Sequence, residues 1–153
     1  MGARGEISGG ERAARWAIVG LSLLGAADAL YMLSYTGGLL KRLACPFFGE
    51  GCEIVGRSSH ASHFGVPNAA VGAVGYAAMA ALALWAGDRP LERRPWPSLG
   101  LAFTSLSAFV ASVYLTWEQA AKVGAWCFWC ITSAAINVLI LPLALRGVRA
   151  VRL

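Results

Sequence analysis

The apolar and polar positions of this chain fall into blocks. Four predominantly apolar blocks, approximately residues 16–35, 66–86, 98–116 and 126–145, are separated by more polar segments. Each has close to the roughly 20 residues, at about 1.5 Å rise, that cross a hydrocarbon core. Backbone polar groups in lipid must be satisfied within the segment, so each block predicts a membrane-spanning α-helix. Little chain is left over. The pattern predicts an all-α membrane protein with one domain over residues 1–153: a four-helix bundle with an outward-facing cysteine-bearing loop and a short interfacial cap helix. The first block exceeds the roughly 7–15 residues of a signal-peptide core, and no A-x-A cleavage site follows it, so it is read as a span. Gly20, Gly25, Gly72 and Gly75 lie within the first two blocks and predict close approach between helices.

Composition agrees with the block pattern. The chain is 58% hydrophobic and 14% charged, with a mean hydropathy of +0.59, against about half and a quarter in soluble domains. Of the 13 basic residues, Arg4, Arg12, Arg15, Arg89, Arg93, Arg94, Arg146, Arg149 and Arg152 fall on one side of the predicted bundle. Lys41, Arg42, Arg57 and Lys122 fall on the other. The positive-inside rule then places both termini in the cytoplasm. The net charge of +5 is accounted for by this anchoring, so no nucleic-acid partner is needed to explain it.

All four cysteines lie on the opposite, outer side, where disulfides are tolerated. Cys127-Phe128-Trp129-Cys130 opens the fourth block. On a helix this spacing brings both sulfurs to one face, and the positive helix N-terminus favours a thiolate. Cys127 sits near the aqueous boundary and Cys130 almost one turn deeper, toward the bundle interior. One sulfur is placed to meet a protein thiol and the other a lipid-soluble oxidant. The competing readings are a structural disulfide, a metal site or two cysteines acting as small buried hydrophobes. Position and the presence of a second pair favour redox chemistry.

That second pair is Cys45 and Cys52, with Pro46, Gly49 and Gly51 between them. The segment is turn-prone, so the cysteines can reach bonding distance. Taken alone it reads as a staple; beside another dithiol on the same face it reads as a mobile, exposed shuttle disulfide. The mixed stretch from Glu53 to Phe64 is too polar to cross a bilayer and predicts the cap. His60 and His63 invite a zinc reading with the loop cysteines, but C-x6-C-x7-H-x2-H matches no common structural site, and no metal is expected.

Asp28, inside the first block, is either a proton donor or an acid pinning two helices. Asn137 is read as a helix–helix hydrogen bond. Trp117, Trp126, Phe128 and Trp129 form an interfacial aromatic belt, with Phe128 or Trp129 also candidates to line a ligand pocket. Pro142 is tolerated within a membrane helix.

Together these residues resemble the vitamin K epoxide reductase family, in particular bacterial members without a fused thioredoxin-like domain. The resemblance rests on four spans, the loop pair, Ser58 six positions after Cys52, Gly65-Val66-Pro67-Asn68, Gly72, Tyr76 and the closing Cys127-x-x-Cys130. DsbB-type proteins also have four spans, but their C-x-x-C comes early in the chain. The resemblance implies that Cys130 faces a quinone with Cys127 as its resolving partner. It also implies that Cys52 attacks the Cys127–Cys130 disulfide, and that Cys45 exchanges with an external thioredoxin-fold protein. Asn68 aligns with the family's asparagine that hydrogen-bonds a quinone oxygen and Ser58 with a loop serine near the active cysteines, and both are read with Cys130 as quinone-binding. Vertebrate members carry a tyrosine where this chain has Ala134, so neither a second polar clamp on the substrate nor epoxide reduction is assumed.

The expectation is a membrane quinone reductase of a bacterial cytoplasmic (inner) membrane that oxidises protein dithiols. Its electrons would come from a separate DsbA-like partner. The Ala- and Arg-rich composition favours menaquinone over ubiquinone. The rival is a non-enzymatic membrane protein whose cysteines are structural or hold a metal.

Overall fold

The computed structural model describes residues 8–87 and 95–151. Five helices occur in the order α1 (Gly9–Thr36), α2 (Gly51–Arg57), α3 (Asn68–Ala86), α4 (Trp96–Glu118) and α5 (Phe128–Val151). Between α2 and α3 lie a 3₁₀ turn (Ser59–Ala61) and a hairpin of β1 (Ser62–His63) and β2 (Val66–Pro67). A π-helical turn, Gln119–Val123, extends α4. Helices α1, α3, α4 and α5 pack in a ring, α1 on α3, α3 on α4, α4 on α5 and α5 on α1. All four are long and apolar enough to cross a membrane.

Burial is distributed as lipid requires. Leu23, Leu24, Val74, Phe103, Val113 and Leu139 are exposed, whereas Ser22, Ser105, Glu118, Gln119 and Asn137 are buried. Such a surface would be an aggregation liability in water and is ordinary against hydrocarbon. Tyr76, Met79, Ala83, Ile136 and Ile140 form the mid-bundle core. Asn137 donates to Ser112 Oγ at 2.8 Å, the helix–helix bond expected of it.

The helix bounds depart from those of the apolar blocks. α1 begins seven residues before residue 16 because Ser8 and Glu11 form a capping box, with Ser8 Oγ accepting from Glu11 N–H at 3.2 Å and Glu11 accepting from Ser8 N–H at 3.0 Å. α3 starts two residues later than the apolar block, because Val66 and Pro67 pair with Ser62 and His63. Their two-residue turn has positive φ at Phe64 (54°) and Gly65 (78°), the backbone of a type I′ hairpin.

Two of the four glycines behave as expected. A Cβ on Gly25 would strike the Tyr76 ring, and one on Gly72 would touch Ala29 at 3.6 Å. Gly20 and Gly75 instead meet nothing within 4 Å and do not mediate helix contact. Of the basic residues used for orientation, Arg4, Arg89, Arg93, Arg94 and Arg152 lie outside the described residues.

Candidate redox site

The cysteine chemistry is assembled at the N-terminus of α5. Cys127 is the N-cap: its carbonyl accepts the first helical bond from Ile131 N–H at 3.1 Å. Its sulfur accepts from Cys130 N–H at 3.4 Å, the bond that a capping side chain makes to the third helical amide. The first helical amide, that of Phe128, points elsewhere, donating to Cys52 Sγ at 3.2 Å. One helix end therefore polarises a sulfur from each cysteine pair.

Cys127 and Cys52 are both fully buried. The Cys127 thiol titrates below its ordinary value, chiefly through a hydrogen bond from the Cys130 side chain. Burial opposes this, and the N–H groups of Cys130 and Trp129 reinforce it. The buried Gln119 fixes the Cys127 backbone by accepting its N–H at 2.9 Å, and the π-helical turn presents Gln119. Turns of this type recur at functional sites.

Cys45 and Cys52 are joined in a disulfide with their Cα atoms 5.6 Å apart. Cys127 and Cys130 are free thiols. The loop differs from the mobile segment expected. Ala44 is held by Tyr31 Oη (3.1 Å) and by the Trp129 indole, and Leu43 N–H donates to Glu53 at 3.0 Å. Gly51 lies so close to the Trp126 carbonyl that any Cβ would collide with it. The loop is docked on its Cys52 side, with Cys45 half-buried and Phe47 and Phe48 exposed.

Cys130 opens into a cavity of about 110 Å³ beneath α2, with polar groups of Asp28, Thr116, Asn68 and Ser133 on its walls. That is the order of size of an apolar cavity that takes one aromatic ring. A groove of about 670 Å³ between α3 and α4 shares Asn68, Gly72, Ser112, Leu115 and Ser133 with the cavity, and runs along Gly75, Ala108 and Ala111.

Asn68 Nδ2 donates to the His60 carbonyl and Oδ1 pairs with His63 Nδ1, each at 2.7 Å. One amide hydrogen is then left for a ligand. The Asn68 bond, ahead of Glu118, raises the His63 pKa above its ordinary value. Asp28 is buried on the cavity wall and its Oδ1 has no hydrogen-bond partner.

Of the residues singled out by sequence, Cys52, Cys127, Cys130 and Asn68 converge on this end of the bundle. Ser58 lies apart: its hydroxyl donates to Val55 O at 2.7 Å at the end of α2, and it lines neither the cavity nor the groove. Phe128 and Trp129 likewise turn toward the loop, stacking with Phe47 and Tyr31. Sequence reasoning missed Glu118, Gln119 and Ser133. Glu118 carried a usable signal, since an acid two residues beyond an apolar block is costly in lipid.

Such a bundle, with two cysteine pairs meeting at one helix end beside an apolar cavity, defines a membrane dithiol–disulfide oxidoreductase. Residues 16–145 match the vitamin K epoxide reductase family, and the chain belongs to it. Membership makes it a multi-pass, quinone-linked oxidoreductase of a kind that generally works with thioredoxin-like proteins.

Proposed function

We propose that the protein oxidises protein dithiols and passes their electrons to quinone. The observation that carries this reading is the α5 N-terminus, where Cys52 and Cys127 share the helix amides and Cys130 opens into the cavity.

A reduced DsbA-like partner, a separate chain on the outer face of a bacterial cytoplasmic membrane, attacks Cys45, the less buried residue of the loop disulfide. Its second thiol resolves the mixed disulfide, leaving the partner oxidised and Cys45 and Cys52 reduced. The Cys52 thiolate then attacks Cys127 of a Cys127–Cys130 disulfide and releases Cys130. Cys45 closes on Cys52 and frees Cys127. Two electrons now reside on the pair at α5. Cys130 delivers them to a quinone whose ring occupies the cavity and whose tail lies in the α3–α4 groove. Cys127 closes the disulfide as quinol forms. The two thiols release two protons and quinol takes up two, so the step balances. Asn68 donates to a quinone oxygen as negative charge develops there, and Asp28 is placed to carry a proton. Quinone potentials above those of protein dithiols set the direction, about 30 mV corresponding to about 1.4 kcal/mol. Menaquinone is the favoured acceptor.

The test is quinone reduction by purified variants supplied with dithiothreitol. Cys130→Ala is expected to fall to background, and Cys45→Ala to retain activity with this small dithiol. Equal loss in both refutes the relay order.

A further inference from the structure

On the cavity wall, His60 Nδ1 lies 3.0 Å from Glu118 Oε1, and His63 Nε2 lies 3.3 Å from Oε1 and 3.2 Å from Oε2. One ligand atom from each of the three residues falls within 4.8 Å of the others. Glu118 is 4% exposed, and its Oε2 accepts no hydrogen bond.

The hydrogen-bond pattern fixes which imidazole atom carries a lone pair. Asn68 Nδ2 faces a carbonyl, which only accepts, so the amide orientation is set and Oδ1 faces His63 Nδ1. Nδ1 must therefore bear the hydrogen. In neutral His63 the Nε2 lone pair then points at a buried carboxylate, which is repulsive unless a positive charge lies between them. A proton on Nε2 is one solution, directed at Oε1, and it leaves Oε2 without a donor. A divalent cation held between the carboxylate and both imidazoles is the other.

We propose that His60, His63 and Glu118 bind a zinc-class divalent cation. Zinc takes nitrogen and oxygen ligands at about 2.0–2.2 Å, which places ligand atoms in a tetrahedron roughly 3.3 Å apart. The separations of 3.0–3.3 Å between the carboxylate and the two imidazoles match this. The surroundings are those of metal ligands: His63 donates its other ring N–H to Asn68, and the carboxylate is held by Tyr114 Oη at 3.0 Å. Two imidazoles and one carboxylate favour zinc over calcium or magnesium. The loop cysteines take no part, since they are joined to each other. Three protein ligands leave a fourth position for water or an oxygen of a molecule in the cavity. This site stands independently of the quinone reading, because binding is measured without the reactive thiols.

The test uses the full chain carrying Cys127→Ser and Cys130→Ser, loop disulfide intact, in lipid nanodiscs. Chelator-stripped protein is titrated with Zn²⁺ against a chromophoric chelator, with Mg²⁺ as control. One zinc per chain is expected, with proton release on binding. Asn68→Ala should weaken affinity by about 10- to 100-fold, and His63→Ala or Glu118→Gln by more. Co²⁺ should give visible tetrahedral bands without thiolate charge transfer, a readout that needs no ligand variant to fold. Absence of stoichiometric zinc, an octahedral cobalt spectrum, or equal affinity in Glu118→Gln overturns the proposal and leaves a proton as the bridging charge.

Discussion

Cys127 is activated by where the backbone ends. As N-cap of α5 it receives a helix amide on its sulfur, while the Cys130 thiol adds the largest share of the downward shift in its pKa. A thiolate is the attacking species in exchange, and a lowered pKa raises its fraction at neutral pH. Removing the larger contribution should therefore raise the titration midpoint. Cys130→Ala is expected to move the Cys127 midpoint up and reduce its thiolate fraction at neutral pH, followed by ultraviolet thiolate absorbance with the loop disulfide intact. An unmoved midpoint would mean that the helix amides alone set it. The activation was legible as a C-x-x-C motif at a predicted helix start. The partner sulfur, Cys52, came only from the family resemblance, since nothing in the spacing aims the Phe128 amide at a cysteine 76 residues earlier.

Among the elements, α2 is the one that joins the two pairs. It is only seven residues long, too short to be stable alone, and it is held by contacts at its ends. Gly51 makes the tightest of these, with no room for a side chain against the Trp126 carbonyl. Gly51→Ala should push α2 off the start of α5 and separate Cys52 from Cys127. Electron passage between the two pairs, measured by rapid acid trapping and thiol labelling, is expected to slow by about tenfold or more, the effect of roughly 1.4 kcal/mol on a barrier. Gly20→Ala, whose methyl meets nothing within 4 Å, should leave the rate unchanged. Similar rates in the two variants would detach α2 docking from exchange. Turn-prone residues made a flexible loop the natural reading of residues 45–52. The docking comes from Tyr31, Trp129 and Glu53, residues whose neighbours only the folded chain supplies.

For the whole molecule, the cysteines and histidines collect at one end of the bundle, and Arg15 and Arg146 line a cavity at the other. The excess of basic residues at that second end predicts a cytoplasmic location for it. In right-side-out vesicles, a membrane-impermeant maleimide should label Cys45 after mild reduction. It should reach Gly9→Cys only once the vesicles are permeabilised. Labelling of both from outside would refute the orientation and remove the route to an external partner.

The sequence by itself determined the number of spans and the gathering of all four cysteines at one end of the bundle. Hydrophobic block length and cysteine position carry that information locally, and the family match agrees with a multi-pass membrane oxidoreductase. The tertiary structure alone decided how the sulfurs meet, through the Phe128 amide, that Ser58 and Phe128 turn away from the cavity, and that Glu118 joins His60 and His63. Those outcomes depend on helix rotation and close backbone approach between segments as many as 76 residues apart, as for Cys52 and Phe128. A one-dimensional pattern of polar and apolar positions does not encode them, because helices presenting the same apolar surface to lipid can be rotated against one another in many ways.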